Sequence, residues 1–168
     1  MTPEVTEQGF DEGGPLVDGR QSADALEIQR GVQRLLYQHG FASVTEFQLP
    51  NGRRADVIGL NEAGKIWIVE IKSSLADFRA DQKWPEYRDF SDCLFFAVKP
   101  DFPQDVLPDV TGLILADRFG GEIIRDAPET RLAGARRKVL TQSFARHAAL
   151  RLTALTNPAL AGIIDPKV

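Results

Sequence analysis

The chain has 168 residues, 43% hydrophobic and 26% charged, with a net charge of −4, one cysteine and two histidines. That balance suits one ordinary domain with a single core; it excludes an intrachain disulfide and leaves too few Cys and His for a structural zinc site. No apolar run is long enough to span a bilayer, no cleavable leader is recognisable, and a pI near 5.2 argues against a protein that coats nucleic acid nonspecifically. The default expectation is a cytoplasmic protein without a membrane partner.

Residues 1–20 carry Gly9, Gly13, Gly14, Pro3 and Pro15 among Glu4, Glu7, Asp11, Glu12 and Asp18, and are expected to be a disordered acidic tail. One folded domain is expected over 21–155, followed by a tail over 156–168. Ser22 offers an N-cap for a helix to about His39, in which Ala25, Ile28, Val32, Leu35 and Leu36 recur at helical spacing and Gly40 supplies the stop. Val44 to Leu49 reads as a first strand, and Pro50-Asn51-Gly52 as the turn into a second over Arg53 to Leu60. Asn61 to Lys65 turns the chain into a third strand over Ile66 to Lys72.

Period alone places the chemistry. Side chains alternate faces along a strand, so Ile66, Ile68, Glu70 and Lys72 share one face. If Leu60 opposes Ile66 in an antiparallel hairpin, Ile58 opposes Ile68 and Asp56 opposes Glu70. Two like charges directly opposed destabilise a sheet. A bound Mg²⁺ (or Mn²⁺) is the economical compensation, since one or two carboxylates with water and phosphate suit it. A lone Glu-x-Lys on a strand is ordinarily surface decoration. Here it emerges from the otherwise apolar Ile66-Trp-Ile-Val-Glu-Ile-Lys72, and buried charges need partners or a metal.

Ser73 or Ser74 caps a second helix expected over Leu75 to Phe90, although Pro85 sits awkwardly inside it and a break near Trp84 is anticipated. Lys83 and Tyr87, four apart, share a helix face; the bland alternative is a solvated face with Trp84 and Tyr87 in the core. Cys93 to Val98 is a buried strand by composition, with Cys93 a small buried hydrophobe. Gly112 to Ala116 and Glu122 to Ile124 read as a further hairpin around Asp117 to Gly121. Arg131 to Arg151 carries Arg136, Arg137, Lys138, Arg146 and Arg151 and no acidic residue, on an amphipathic helix marked by Leu140, Phe144 and His147. The expected fold is α/β, a mixed sheet flanked by helices with an α-β-β-β-α-β core, an extra hairpin and a C-terminal helix.

Asp56 followed by Glu70-Ile71-Lys72 resembles the PD-(D/E)xK nuclease signature, with Ala55 in place of the motif proline. The wider stretch, Gly52 to Val57, Val69 to Phe78, Asp81 to Tyr87, Leu94 to Val98 and Gly112 to Asp117, resembles the MmcB-like DNA repair proteins from about Ala23 to Leu152. The resemblance implies a restriction-endonuclease-like fold and hydrolysis of DNA phosphodiester bonds in DNA repair. It makes Asp56, Glu70 and the Ile71 carbonyl ligands to Mg²⁺ or Mn²⁺, with Glu27 nominated as a further acidic ligand. Lys72 would orient the attacking water and offset charge on the phosphate. Lys83 would act near the scissile phosphate, and Arg54, Ser73, Arg136, Arg137 and Lys138 would bind DNA. The partners it implies are DNA, other repair proteins and, as in many relatives that cut duplexes, a homodimer. Asp56→Ala or Lys72→Ala should then abolish turnover with the fold intact. Two further classes stay open: a catalytically inactive nuclease fold that binds damaged DNA or a repair partner, and a nuclease acting on RNA or invading DNA.

Overall fold

In the computed structural model, which describes residues 22–164, Ser22 caps the first helix by accepting the Ala25 N–H at 3.1 Å. The helix, α1 (Ala23–Gln38), ends at His39, and Gly40 follows at φ 78°, a left-handed turn that only glycine enters without steric cost. The acidic tail expected over 1–20 lies outside the described residues.

Six strands follow: β1 (Phe41–Gln48), β2 (Arg54–Asn61), β3 (Ile66–Ile71), β4 (Cys93–Val98), β5 (Gly112–Asp117) and β6 (Gly120–Arg125). They lie side by side in sequence order. β1, β2 and β3 form an antiparallel meander; β3, β4 and β5 run parallel; β6 returns antiparallel to β5 as the expected extra hairpin. β1 begins three residues earlier than its apolar pattern suggests, because Phe41 and Ala42 continue the ladder opposite Asn61 and Leu60.

The parallel step from β3 to β4 needs a long crossover. It is not one helix. α2 (Leu75–Ala80) starts on a Ser74 cap, ends at Asp81, and gives way to a 3₁₀ turn at Trp84–Phe90 that carries Pro85 at its start. Pro85 has no N–H to continue an α-helical ladder, so the break falls where the proline demands it. α3 (Gly134–Thr156) then runs back along the sheet, and the short α4 (Pro158–Ala161) follows it.

The two faces of the sheet are covered by different helices. Ile28, Val32, Leu35 and Leu36 of α1 pack on Val57, Val69, Ile71, Cys93 and Phe95. Leu140 and Phe144 of α3, with Tyr87 and Phe90 of the 3₁₀ turn, pack on Ile58, Ile66, Ile68 and Leu94. Odd-numbered residues of β3 therefore face α1 and even-numbered ones face α3, which puts Glu70 in the α3 layer. α1 meets the β5–β6 hairpin at Gly31, where an added Cβ would lie 2.1 Å from the Asp117 carbonyl oxygen. No helix among the described residues is long and apolar enough to cross a membrane.

Candidate functional site

The hairpin register is the one that alternation predicts: Leu60 opposes Ile66 and Ile58 opposes Ile68. The ladder stops at Val57 and Val69, one step short of Asp56 and Glu70, and there the side chains replace it. Asp56 Oδ2 accepts the Ile71 N–H at 2.7 Å, and Glu70 Oε1 accepts the Asp56 N–H at 3.3 Å. Each carboxylate thus caps the opposite strand, and the two are held together where the strands part.

Their electrostatics are those of a pair short of positive charge. Burial pushes the Asp56 carboxyl up to about 6, against the Ile71 N–H and the Lys72 ammonium, which favour its charged form. Glu70, 3% exposed, lies well above the ordinary carboxylate range, first from burial and then from the Asp56 charge beside it. Lys72 is 5% exposed and its Nζ lies 2.6 Å from Asp81 Oδ2. Burial works to lower the lysine's pKa, but Asp81, Glu70 and Asp56 outweigh it and hold it above its usual value. Asp81 is itself depressed, because Lys72 and the backbone N–H groups of Lys83 and Trp84 overcome its burial.

Asp81 is the site residue that spacing alone misses. It sits at the end of α2, where the helix breaks, and its carboxylate joins that break to Lys72. Lys83 enters the site differently from expectation: its side chain is exposed, and its backbone N–H donates to Asp81 Oδ1 at 2.9 Å. Tyr87 is buried and donates its hydroxyl to the Arg54 carbonyl at 3.1 Å. Burial and the charges of Glu70, Asp56 and Asp81 raise the phenol's pKa, so it stays protonated as a wall of the site.

Glu46 is a second residue without a sequence signal. It falls between the ladder pairs Thr45–Val57 and Phe47–Ala55, the gap in which Asp56 lies on the neighbouring strand, and it has φ 52°, the left-handed region that a glutamate rarely enters. Val44 and Phe47, three apart, both pack in the α3 layer, which strict alternation forbids and the turn of backbone at Glu46 permits. The Glu46 carboxylate forms an ion pair with Arg54, Oε2 lying 2.6 Å from Nε without hydrogen-bond geometry, and its charge adds to the upward pressure on Asp56.

Other nominated residues fall elsewhere. Glu27 belongs to the helix on the opposite face and pairs with Lys99 at 3.2 Å. Among the described residues no three His, Cys, Asp or Glu side chains cluster at metal-binding reach, so Glu27 does not join Asp56 and Glu70. Ser73 donates its N–H to Asp77 Oδ2 at 3.4 Å beside the α2 cap, which Ser74 supplies. Arg137 is a correction: its guanidinium forks onto Asp92 at 2.7 Å through both Nη atoms and onto the Gly64 carbonyl at 2.5 Å. Gly64 is in the hairpin turn, and Ile66, the first strand residue after it, is already roughly 13 Å along the strand from Glu70 at ~3.3 Å per residue. Arg136, over the Phe90 ring at 5.1 Å and donating to the Asp89 carbonyl, and the exposed Lys138 start α3 at that same far end. A helix runs 1.5 Å per residue, and composition places a basic cluster on α3 without saying which end of the sheet it reaches.

The donor set can be weighed against a divalent cation. Two carboxylates stand together, each spending one oxygen on a backbone N–H, with the Ile71 carbonyl following directly on Glu70. That is too little for an all-protein cage. It suits Mg²⁺ or Mn²⁺, which keep waters and substrate phosphates as ligands.

A solved structure agrees with this fold. The SPO1766 protein of unknown function from Silicibacter pomeroyi is similar to this chain at 51% identity with a TM-score of 0.80, over 82% of this chain and 94% of that one. Among curated proteins nothing matches. The description DNA repair protein MmcB-like matches over residues 12–159, from before α1 into α4. The chain belongs to the MmcB-like family of DNA repair proteins.

Proposed function

We propose that this protein is a metal-dependent endonuclease of the PD-(D/E)xK type that hydrolyses DNA phosphodiester bonds during DNA repair. One observation carries the reading: Asp56 and Glu70 are locked side by side at the point where their strands part, with the Lys72 ammonium in the same electrostatic field. A carboxylate pair with both pKa values raised is poorly stabilised by the protein alone, and a dication supplies what it lacks. Asp56, Glu70 and the Ile71 carbonyl would hold Mg²⁺ or Mn²⁺, whose chemistry there would be to acidify a water and polarise a phosphoryl oxygen.

The chain's own residues do the rest. Lys72, kept charged by Asp81, offers a fixed positive group to the negative charge that builds on the phosphate. The break between α2 and the 3₁₀ turn holds Asp81 in position, and Tyr87 closes the wall behind Asp56 without giving up its proton. DNA is the partner that the family supports, with other repair proteins and a homodimer as further expectations of the same reading.

The test is a panel of branched, gapped, single-stranded and lesion-bearing DNAs incubated with Mg²⁺ or Mn²⁺. Wild type should cut at least one, and Asp56→Asn should lower that rate by about 10³-fold or more. Equal cutting by both proteins would overturn the assignment. Binding by wild type without turnover under any metal would favour the inactive, DNA-recognising alternative, which the engagement of Lys72 by Asp81 also accommodates.

A further inference from the structure

α3 has two ends with different electrostatics. At its start Arg137 is consumed by Asp92. Toward its other end Arg151 reaches the site end of the sheet, where Nη1 donates to Thr45 Oγ1 at 3.3 Å and Nη2 to the Glu46 carbonyl at 3.4 Å. Both contacts are long, and neither acceptor is ionised. Arg53, Arg125 and Arg137 each fork onto or touch a carboxylate within 3.1 Å, on Glu86, Asp109 and Asp92. Arg151 makes no such pair among the described residues, although it is half-buried. Burial pulls its pKa below the usual arginine value, with Glu46 as the opposing charge. A desolvated cation without an ionised partner is costly, and such a group is well suited to an anion that arrives with the substrate.

Its position says which anion. Glu46 falls between the ladder pairs Thr45–Val57 and Phe47–Ala55, the gap in which Asp56 lies on the neighbouring strand, and its charge acts on Asp56. Arg54, two residues before Asp56 and exposed, holds the Glu46 carboxylate through Nε. Two guanidinium groups therefore bracket Glu46, one from α3 and one from β2, on the strand next to Asp56. Guanidinium forks match phosphate oxygens in pairs.

We propose that Arg151 and Arg54 form a phosphate subsite that grips the DNA backbone beside the scissile phosphate. The inference rests on the nuclease reading for its ligand and goes beyond it in naming the contact. The left-handed backbone of Glu46 serves the subsite by turning its carbonyl to Arg151 and its carboxylate to Arg54. The basic start of α3, which composition alone would nominate, takes no part.

The experiment is fluorescence anisotropy of the full chain with labelled branched and single-stranded DNA, in EDTA, across a salt series. Without metal there is no cutting, so binding is read apart from catalysis. Arg151→Met and Arg54→Gln should each weaken binding about three- to tenfold and lower the salt slope by about 1, the signature of one lost phosphate contact. Arg151→Lys should keep the slope while recovering part of the affinity, because the charge stays and the fork is lost; it also carries the test if Arg151→Met does not fold. Arg136→Ala should change neither quantity. Wild type that binds, with Arg151→Met and Arg54→Gln unchanged in affinity and slope (or, should Arg151→Met not fold, with Arg151→Lys unchanged in affinity), overturns the subsite and leaves the nuclease reading standing. Wild type that binds none of these DNAs overturns both.

Discussion

An aspartate meets a cation at each end of the hairpin β2–β3, with opposite electrostatic results. At the turn end Asp92, 3% exposed, accepts the Ile66 N–H at 2.7 Å, the Leu132 N–H at 3.0 Å and both Nη atoms of Arg137. Burial works against its charge, but Arg137 and the two N–H groups overcome it and hold the carboxyl down at about 2. At the open end Asp56 and Glu70 share one lysine, itself partly spent on Asp81, and both rise. The comparison separates structure from function. A carboxylate whose every need is met by the protein is a clamp, here tying β3, β4 and α3 together. A pair left short of positive charge is what the proposed metal site would draw on.

Removing one partner from the satisfied end should have the largest thermodynamic effect. Arg137→Ala leaves Asp92 buried and unpaired, and should cost about 3–5 kcal/mol in urea unfolding. DNA affinity should not fall at temperatures where the variant is folded, since Asp92 already takes up this guanidinium. The Asp92 contribution has a folded pKa below its unfolded one, so it is fully present above about pH 4 and lost as pH falls toward 2. An acid titration that shows no such loss relative to Arg137→Ala would refute the clamp.

Divalent metal should act at the other end. Mg²⁺ or Mn²⁺ at 100 times its dissociation constant should raise unfolding free energy by about 2.7 kcal/mol, and Asp56→Asn should remove the effect. Differential scanning calorimetry reads both; an identical metal response in the variant would move the ion elsewhere.

Glu70→Gln should stabilise the metal-free protein while abolishing cutting. Asp56 and Glu70 have folded pKa values above their unfolded ones, so protonation favours the folded state. For Asp56 the stability gained from protonation is fully present below about pH 4 and is lost as pH rises through about 6; for Glu70 it is lost as pH rises through its own raised pKa. The advantage of Glu70→Gln should therefore grow as pH rises, where the buried glutamate must otherwise ionise, and shrink in acid. Lys72→Ala, expected from the sequence to leave the fold intact, should here lower the melting temperature as well as turnover, because it strands Asp81 and removes a counter-charge from the pair.

The smallest effect belongs to Glu27. Its pairing with Lys99 is partly exposed, so Glu27→Ala should cost less than about 1 kcal/mol and leave the cutting rate unchanged. A large loss of turnover would restore it to the site.

Much of the site was legible because it depends on local register. Alternation along Ile66 to Lys72 and a short turn suffice to set Asp56 against Glu70, since a one-residue slip would expose the whole apolar face. The break at Pro85 was legible for an equally local reason. What alternation could not convey was which charges meet across distance. Asp81 lies nine residues beyond Lys72 and reaches it because the helix stops there. Asp92 lies in a loop whose composition says nothing of Arg137, and the left-handed Glu46 has no glycine or asparagine to announce it.

From its residue order alone the chain determined six strands, their mixed pairing and the carboxylate pair, because hydrophobic period and turn chemistry act between neighbours. Tertiary structure decided the roles of the cations. The direction in which α3 crosses the sheet assigns Arg137 to the clamp and Arg151 to the site, and that direction follows from the packing of Leu140 and Phe144 against the hairpin, which no local pattern encodes.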